Sequence, residues 1–91
     1  MSLQLTGTIK QILPVKSGES ANGTWSNQEF VIEYITGDRT KHCHFETRGK
    51  AMEILAGLTE GQQVEVKFDP DAREYQGKWY GKNGAWAIRV V

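Results

Sequence analysis

Apolar and polar residues alternate with a period of two along most of this chain, the pattern of strands with one buried and one solvated face. From Thr40 to Lys50 (TKHCHFETRGK), His42, His44, Glu46 and Arg48 share one face, while Cys43, Phe45 and Thr47 share the other. The second face suits a core and the first a polar, planar ligand. The same alternation sets Phe30, Ile32 and Tyr34 against Glu29 and Glu33 within Trp25–Ile35. It sets Val64, Val66 and Phe68 against Glu65, Lys67 and Asp69 within Gln63–Asp69. In Ala85–Val91 it groups Trp86 with Ile88 and Val90, against Ala87 and Arg89, which assigns Trp86 to the core. Leu3–Val15 is a further strand, rich in Leu, Ile, Thr and Val, with Gly7 as a point of coiling or bulging and Pro14 weakening its ladder.

One segment departs from this period. In KAMEILAGLTE, residues 50–60, Met52, Leu55 and Leu58 recur at spacing three with Ile54 adjacent, which predicts a short helix over Ala51–Leu58. Gly57 weakens it, so packing against the rest of the fold must hold it. Of the connections, Lys16–Thr24 (KSGESANGT) reads as a mobile Gly/Ser/Asn loop, and Thr36-Gly37-Asp38-Arg39 as a tight hairpin. Pro70 ends or bends the strand before it, and Asp71–Gly84 reads as a long connection. Three strands, a helix and two strands predict an all-β fold. The expected form is a five-stranded Greek-key barrel of the OB type, with one short helix between strands 3 and 4.

Length and composition narrow this further. With 91 residues the chain is one domain, residues 1–91, whose core is too small for an elaborate active site. Eleven basic residues balance eleven acidic ones, so the overall charge of a strong nucleic-acid binder is missing and any basic groove must be local. Cys43 is the sole cysteine, which excludes an intramolecular disulfide and a cysteine-based zinc site and fits a reducing compartment. It reads as a small core residue. No apolar run reaches the roughly 20 residues needed to span a bilayer, so a cytoplasmic location with no membrane partner is expected.

The candidate chemistry lies in two places. The connection Asp71–Gly84 interleaves Arg73, Tyr75, Lys78, Trp79, Tyr80 and Lys82, with Asp71 and Glu74 as its acids. Flat side chains for base faces and cations for phosphates are what a sequence-tolerant single-strand site requires. Lys16 and Trp25 from the first loop are expected to converge on the same groove. Tyr75, Trp79 and Tyr80 also fit a role as cross-strand pairs holding an extended hairpin together, and Trp25 one as a cap on the barrel. His42 and His44, at i and i+2, have the spacing of two imidazoles on a metal, but Glu46 is the sole third ligand near them in sequence, so no metal is expected. G-x-S-x-G, P-loop and H-E-x-x-H motifs are absent, and Cys43 faces away from both histidines. Neither catalysis nor a cofactor is expected.

Several stretches resemble the OB-fold single-stranded-DNA-binding proteins of bacteria, and more closely a family of small bacterial and phage OB domains of unknown function. They are LTGTIKQILP, the NG loop with QEFVIE, RGKAMEIL, EGQQVEVKFDPDAREYQGKWY and AWAIRV, which together span nearly the whole chain. The resemblance implies that His42 and Arg48 occupy stacking positions on the third strand and His44 a basic one. His and Arg here replace the family's larger aromatics, with Glu46 between them. The expected function is a non-catalytic module that binds single-stranded nucleic acid, DNA before RNA, with little sequence preference, through Trp25, His42, His44, Arg48 and the Arg73–Lys82 arm. The alternative, favoured by neutral charge and by Glu29, Glu33 and Glu46, is a protein-interaction or homo-oligomerisation module.

Overall fold

The computed structural model describes residues 3–21 and 23–91; Asn22 of the NG loop lies outside them. The elements are β1 (Leu3–Ile12), β2 (Lys16–Ser20), β3 (Gly23–Thr36), β4 (Arg39–Thr47), α1 (Gly49–Ala56), β5 (Gln63–Tyr75) and β6 (Lys78–Val90). The strands hydrogen-bond in the order β1-β5-β6-β4-β3-β2, and β3 also pairs with β1. That last pairing closes five strands into a ring, the OB barrel expected from the sequence, with α1 between its third and fourth strands. β2 is an extra strand outside the ring, bonded among the described residues to β3 alone.

β1 closes the ring by serving two neighbours in turn. Its first half pairs with β5 from Leu3↔Phe68 to Thr8↔Gln63, and its second half with β3 from Thr8↔Glu33 to Ile12↔Phe30. The bend comes from a bulge at Lys10, between Ile9 and Gln11, rather than at Gly7. Gly7 serves close approach instead, since a Cβ there would meet Ile32 Cγ2 and stand 2.6 Å from the Glu33 carbonyl oxygen. The core inside the ring contains Ile9, Phe30, Ile32, Phe45, Val64, Val66, Phe68 and Ile88. Phe45 is its hub, with ring centroids 5.3 Å from Phe30 and 4.9 Å from Phe68.

At Gly49 the backbone turns from β4 into α1 with φ of +58°, a conformation open to glycine. The helix buries Ala51 and Leu55, four residues apart, with Leu58 packed on the core just beyond its end. Ile54 is exposed and Met52 half-buried, so the apolar stripe is rotated by one position from the expected one.

Two expected loops are strands. Lys16–Ser20 folds back on β3 from Lys16↔Asn27 to Ser20↔Gly23. Asp71–Gly84 is the outer half of a long β5–β6 hairpin, paired without interruption from Asp69↔Gly84 to Tyr75↔Lys78. The described β1–β5 pairing begins at Leu3↔Phe68, and beyond it Pro70 keeps its place in β5 through the β6 ladder, opposite Asn83. The hairpin turns at Gln76 (φ +51°) and Gly77 (φ +81°), two consecutive left-handed residues as in a type I′ turn.

Candidate nucleic-acid interface

Alternation along β4 places His42, His44 and Arg48 on the outer face of the barrel, all exposed, while Phe45 and Thr47 are fully buried. Thr47 donates its hydroxyl to the Gln28 carbonyl at 2.7 Å, which satisfies the buried side chain. Cys43 is half-buried, and burial pushes its thiol pKa up, away from a reactive thiolate.

Three carboxylates on this outer face each lie between two basic side chains. Glu33 sits 3.6 Å from Lys10 and 3.4 Å from His42. Glu29 sits 2.7 Å from Lys16 and 3.0 Å from His44. Glu46 sits 3.1 Å from Arg48 and 3.7 Å from Lys82. The hydrogen bond from Lys16 holds the Glu29 carboxyl below the usual carboxylate range against the opposing effect of burial, with His44 adding to the lowering, and the same bond raises the Lys16 ammonium. His42, His44 and Arg48 are thus brought together on one face, already engaged by acids. Among the described residues no group of three or more His, Cys, Asp or Glu is arranged to hold a metal.

The arm formed by Asp69–Gly84 stands beyond the barrel. Its residues from Pro70 to Gly81 are exposed on both faces. Phe68 and Ala85 are buried register partners, so counting outward in twos assigns Glu74 and Trp79 to the inner-facing side. Asp71, Arg73, Tyr75, Lys78, Tyr80 and Lys82 take the outer side, which is continuous with Glu46 and Arg48. Two contacts agree with this parity, Lys82 reaching Glu46 on the outside and Asn83 reaching the inner-facing Cys43 at 3.6 Å. Tyr75 (64%), Trp79 (69%) and Tyr80 (57%) retain most of their accessible surface, so none of these rings is packed inside. Arg73 and Lys78 form no ion pair among the described residues.

Trp25 does not meet the arm. It lies against Gly18 of the β2–β3 hairpin, where a Cβ would stand 2.7 Å from its ring, and among the described residues β2 packs on β3 alone. Lys16, from the same hairpin, reaches Glu29.

Trp86 departs from its expected place in the core. A bulge opposite Lys67 and Phe68 leaves Trp86 without a register partner, so Ala85 and Ile88 point inward while Trp86 is half exposed. The Lys67 ammonium lies 5.8 Å from its ring centroid. Trp86 lines an open trough of 460 Å³ at the root of the arm, with Arg48, Lys50 and Lys82 as cations and Glu46, Asp69 and Asp71 as acids. Period-two reading missed this residue because a bulge shifts the parity and has no signal in composition.

The chain belongs to the family described as Domain of unknown function (DUF3127), which it matches over residues 4–89. No curated protein sequence matches it. Its fold is similar to that of the mitochondrial single-stranded DNA binding protein Rim1 of S. cerevisiae, with TM-score 0.75, 16% identity, and coverage of 100% of this chain and 95% of that one. It is similar to the N-terminal domain of PriB from Thermoanaerobacter tencongensis, described as dimeric, with TM-score 0.70, 18% identity, and coverage of 99% and 94%. It is also similar to a small single-stranded DNA-binding protein from Streptomyces coelicolor, with TM-score 0.60, 17% identity, and coverage of 100% and 92%. At identities this low the likeness shows the fold alone.

Proposed function

We propose that this domain is a non-catalytic module that binds single-stranded nucleic acid, DNA before RNA, through the outer face of the β5–β6 arm. The observation that carries this reading is the alternation on that face of two exposed tyrosines, Tyr75 and Tyr80, with Arg73, Lys78 and Lys82. A two-stranded hairpin gains little stability by itself, and rings left in water at its tip suit stacking on bases. The neutral overall charge does not oppose this, because Arg73 and Lys78 are not engaged by the acids that hold His42, His44 and Arg48. The β3–β4 face then plays the smaller part, since a phosphate must compete there with Glu29, Glu33 and Glu46. The likeness to single-stranded-DNA-binding proteins in fold supports the same reading.

Fluorescence anisotropy with dT oligomers over a salt series tests it. Three phosphate contacts from Arg73, Lys78 and Lys82 give a slope of log K against log salt of about −2. No affinity at low salt, or affinity indifferent to salt, rejects the proposal.

A second reading, a self-association or protein-interaction module, is favoured by an open strand edge. β4 pairs with β6 through Glu46↔Gly84 and Thr47↔Ala85, and the Asn83 amide donates to the His44 carbonyl at 3.1 Å, which among the described residues leaves the Arg39–Lys41 end of that edge for strand addition. Light scattering coupled to size exclusion distinguishes a stable dimer from a monomer.

A further inference from the structure

A tryptophan in a closing strand would ordinarily anchor the core, yet Trp86 faces solvent because the bulge beside it reverses its side of the sheet. Bulges disrupt the ladder locally and are often found where a side chain is re-aimed at a ligand. The ring lies in a trough whose three cations and three acids balance in charge. A charge-balanced trough with an aromatic wall fits a neutral planar group better than a phosphate.

Building on the single-strand reading, we propose that Trp86 is the stacking surface of a base pocket at the root of the arm. This pocket takes an unpaired nucleobase bearing an exocyclic amino group, such as cytosine, in preference to thymine. The Lys67 ammonium is exposed, and a cation–π contact in water is weaker than a base stack, so an arriving base displaces it toward a flanking phosphate. The rim carboxylates supply the preference. Glu46 is held by Arg48 and Lys82, and Asp71 accepts the Ala72 amide at 2.8 Å, whereas Asp69 forms no ion pair among the described residues. A carboxylate accepts from the cytosine amino group but meets a carbonyl oxygen in thymine at the corresponding position. The strand would then run from Tyr75 and Tyr80 on the arm, past Lys82, to Trp86.

Anisotropy titrations of the full chain with dC and dT oligomers of equal length test this, with Trp86→Ala and Trp86→Phe beside the native protein. Native protein is expected to bind dC about 10-fold tighter than dT; Trp86→Ala loses that margin and Trp86→Phe keeps part of it, as expected of a lost stack. Equal native affinity for dC and dT, or a margin untouched by Trp86→Ala, overturns the pocket while leaving the arm's binding of dT intact. Failure of the native protein to bind either oligomer rejects both readings. A Trp25→Phe/Trp79→Phe double variant isolates Trp86 fluorescence, which dC should quench, so the proposal stays testable if Trp86→Ala misfolds. Unchanged fluorescence at saturating dC counts against it.

Discussion

Glu29 and Glu46 stand directly opposite one another across the β3–β4 ladder. Like charges in that relationship oppose strand pairing, and here each is offset by cations from a different hairpin. Lys16 of β2 holds Glu29, and Lys82 of the arm, with Arg48, holds Glu46. The pair therefore links both hairpins electrostatically to the middle of the barrel. Replacing Lys16 with Met is expected to raise the Glu29 carboxyl pKa, read by NMR titration of its side-chain carbon. Because folding lowers that pKa, the associated stability is present above the unfolded carboxylate value and is lost as pH falls through the folded one. The raised Lys16 acts in the opposite window, with its contribution lost as pH rises through its folded pKa. The stability gap between native protein and Lys16→Met is thus expected to be widest near neutral pH and to close toward acid.

On the arm, Tyr80 pairs with Arg73 while Trp79 pairs with Glu74 on the reverse face. Tyr80→Ala is expected to weaken dT binding by about 1 to 3 kcal/mol, the value of one lost base stack. Trp79→Ala is expected to leave affinity nearly unchanged. Both rings are mostly exposed, so neither variant should shift the thermal midpoint appreciably. Equal losses from the two substitutions would remove the assignment of binding to one face.

Much of this was legible in the sequence where period two ran without interruption. Phe30 with Ile32, Phe45 with Thr47, and Val64 with Val66 and Phe68 are buried as their alternation requires, and His42, His44 and Arg48 face outward. The remainder depended on register. Trp86 follows the same alternation as Ile88 in sequence, and only pairing with β5 reveals the bulge that turns it outward. The arm is the extended hairpin that Tyr75, Trp79 and Tyr80 also fitted, but its strand continuity was harder to read because its turn is Gln76-Gly77 rather than Asn-Gly or Asp-Gly, and because Pro70 normally argues against a continuing strand. Lys16–Ser20 carries Gly and Ser in place of apolar residues, since β2 lies outside the ring and covers no core. The acids engaging His42 and His44 come from β3, a contact set by the β3–β4 register.

Gly7 allows a sharper stability test. An added methyl would meet Ile32 Cγ2 and come within 2.6 Å of the Glu33 carbonyl oxygen, and the latter is backbone that cannot swing aside. Gly7→Ala is expected to destabilise the fold by about 1 to 3 kcal/mol through overpacking at the β1–β3 closure, measured by urea denaturation. Gly18→Ala is the contrast. Its methyl would meet the Trp25 ring, a half-exposed side chain that can rotate away, so the expected change is in Trp25 emission more than in global stability. A stability loss as large as that of Gly7→Ala would show that the Trp25–Gly18 contact matters beyond its own hairpin.

Gln76 holds a left-handed conformation (φ +51°) at the tip of the arm, where a side chain without Asn-like local hydrogen bonding is at a disadvantage. Gln76→Asn is expected to stabilise the turn by roughly 0.5 kcal/mol. Because the outer arm packs against no other element among the described residues, that gain should appear as slower amide hydrogen exchange between Ala72 and Gly81, with exchange at core residues such as Phe45 and Val66 unchanged. Binding adds a second readout. An arm already held in its hairpin form has less to order when a strand stacks on Tyr75 and Tyr80, so Gln76→Asn should tighten dT binding by no more than about twofold. Slower exchange spread evenly across the barrel would instead show that arm and core open as one unit, and the arm could not then be tuned separately from the fold.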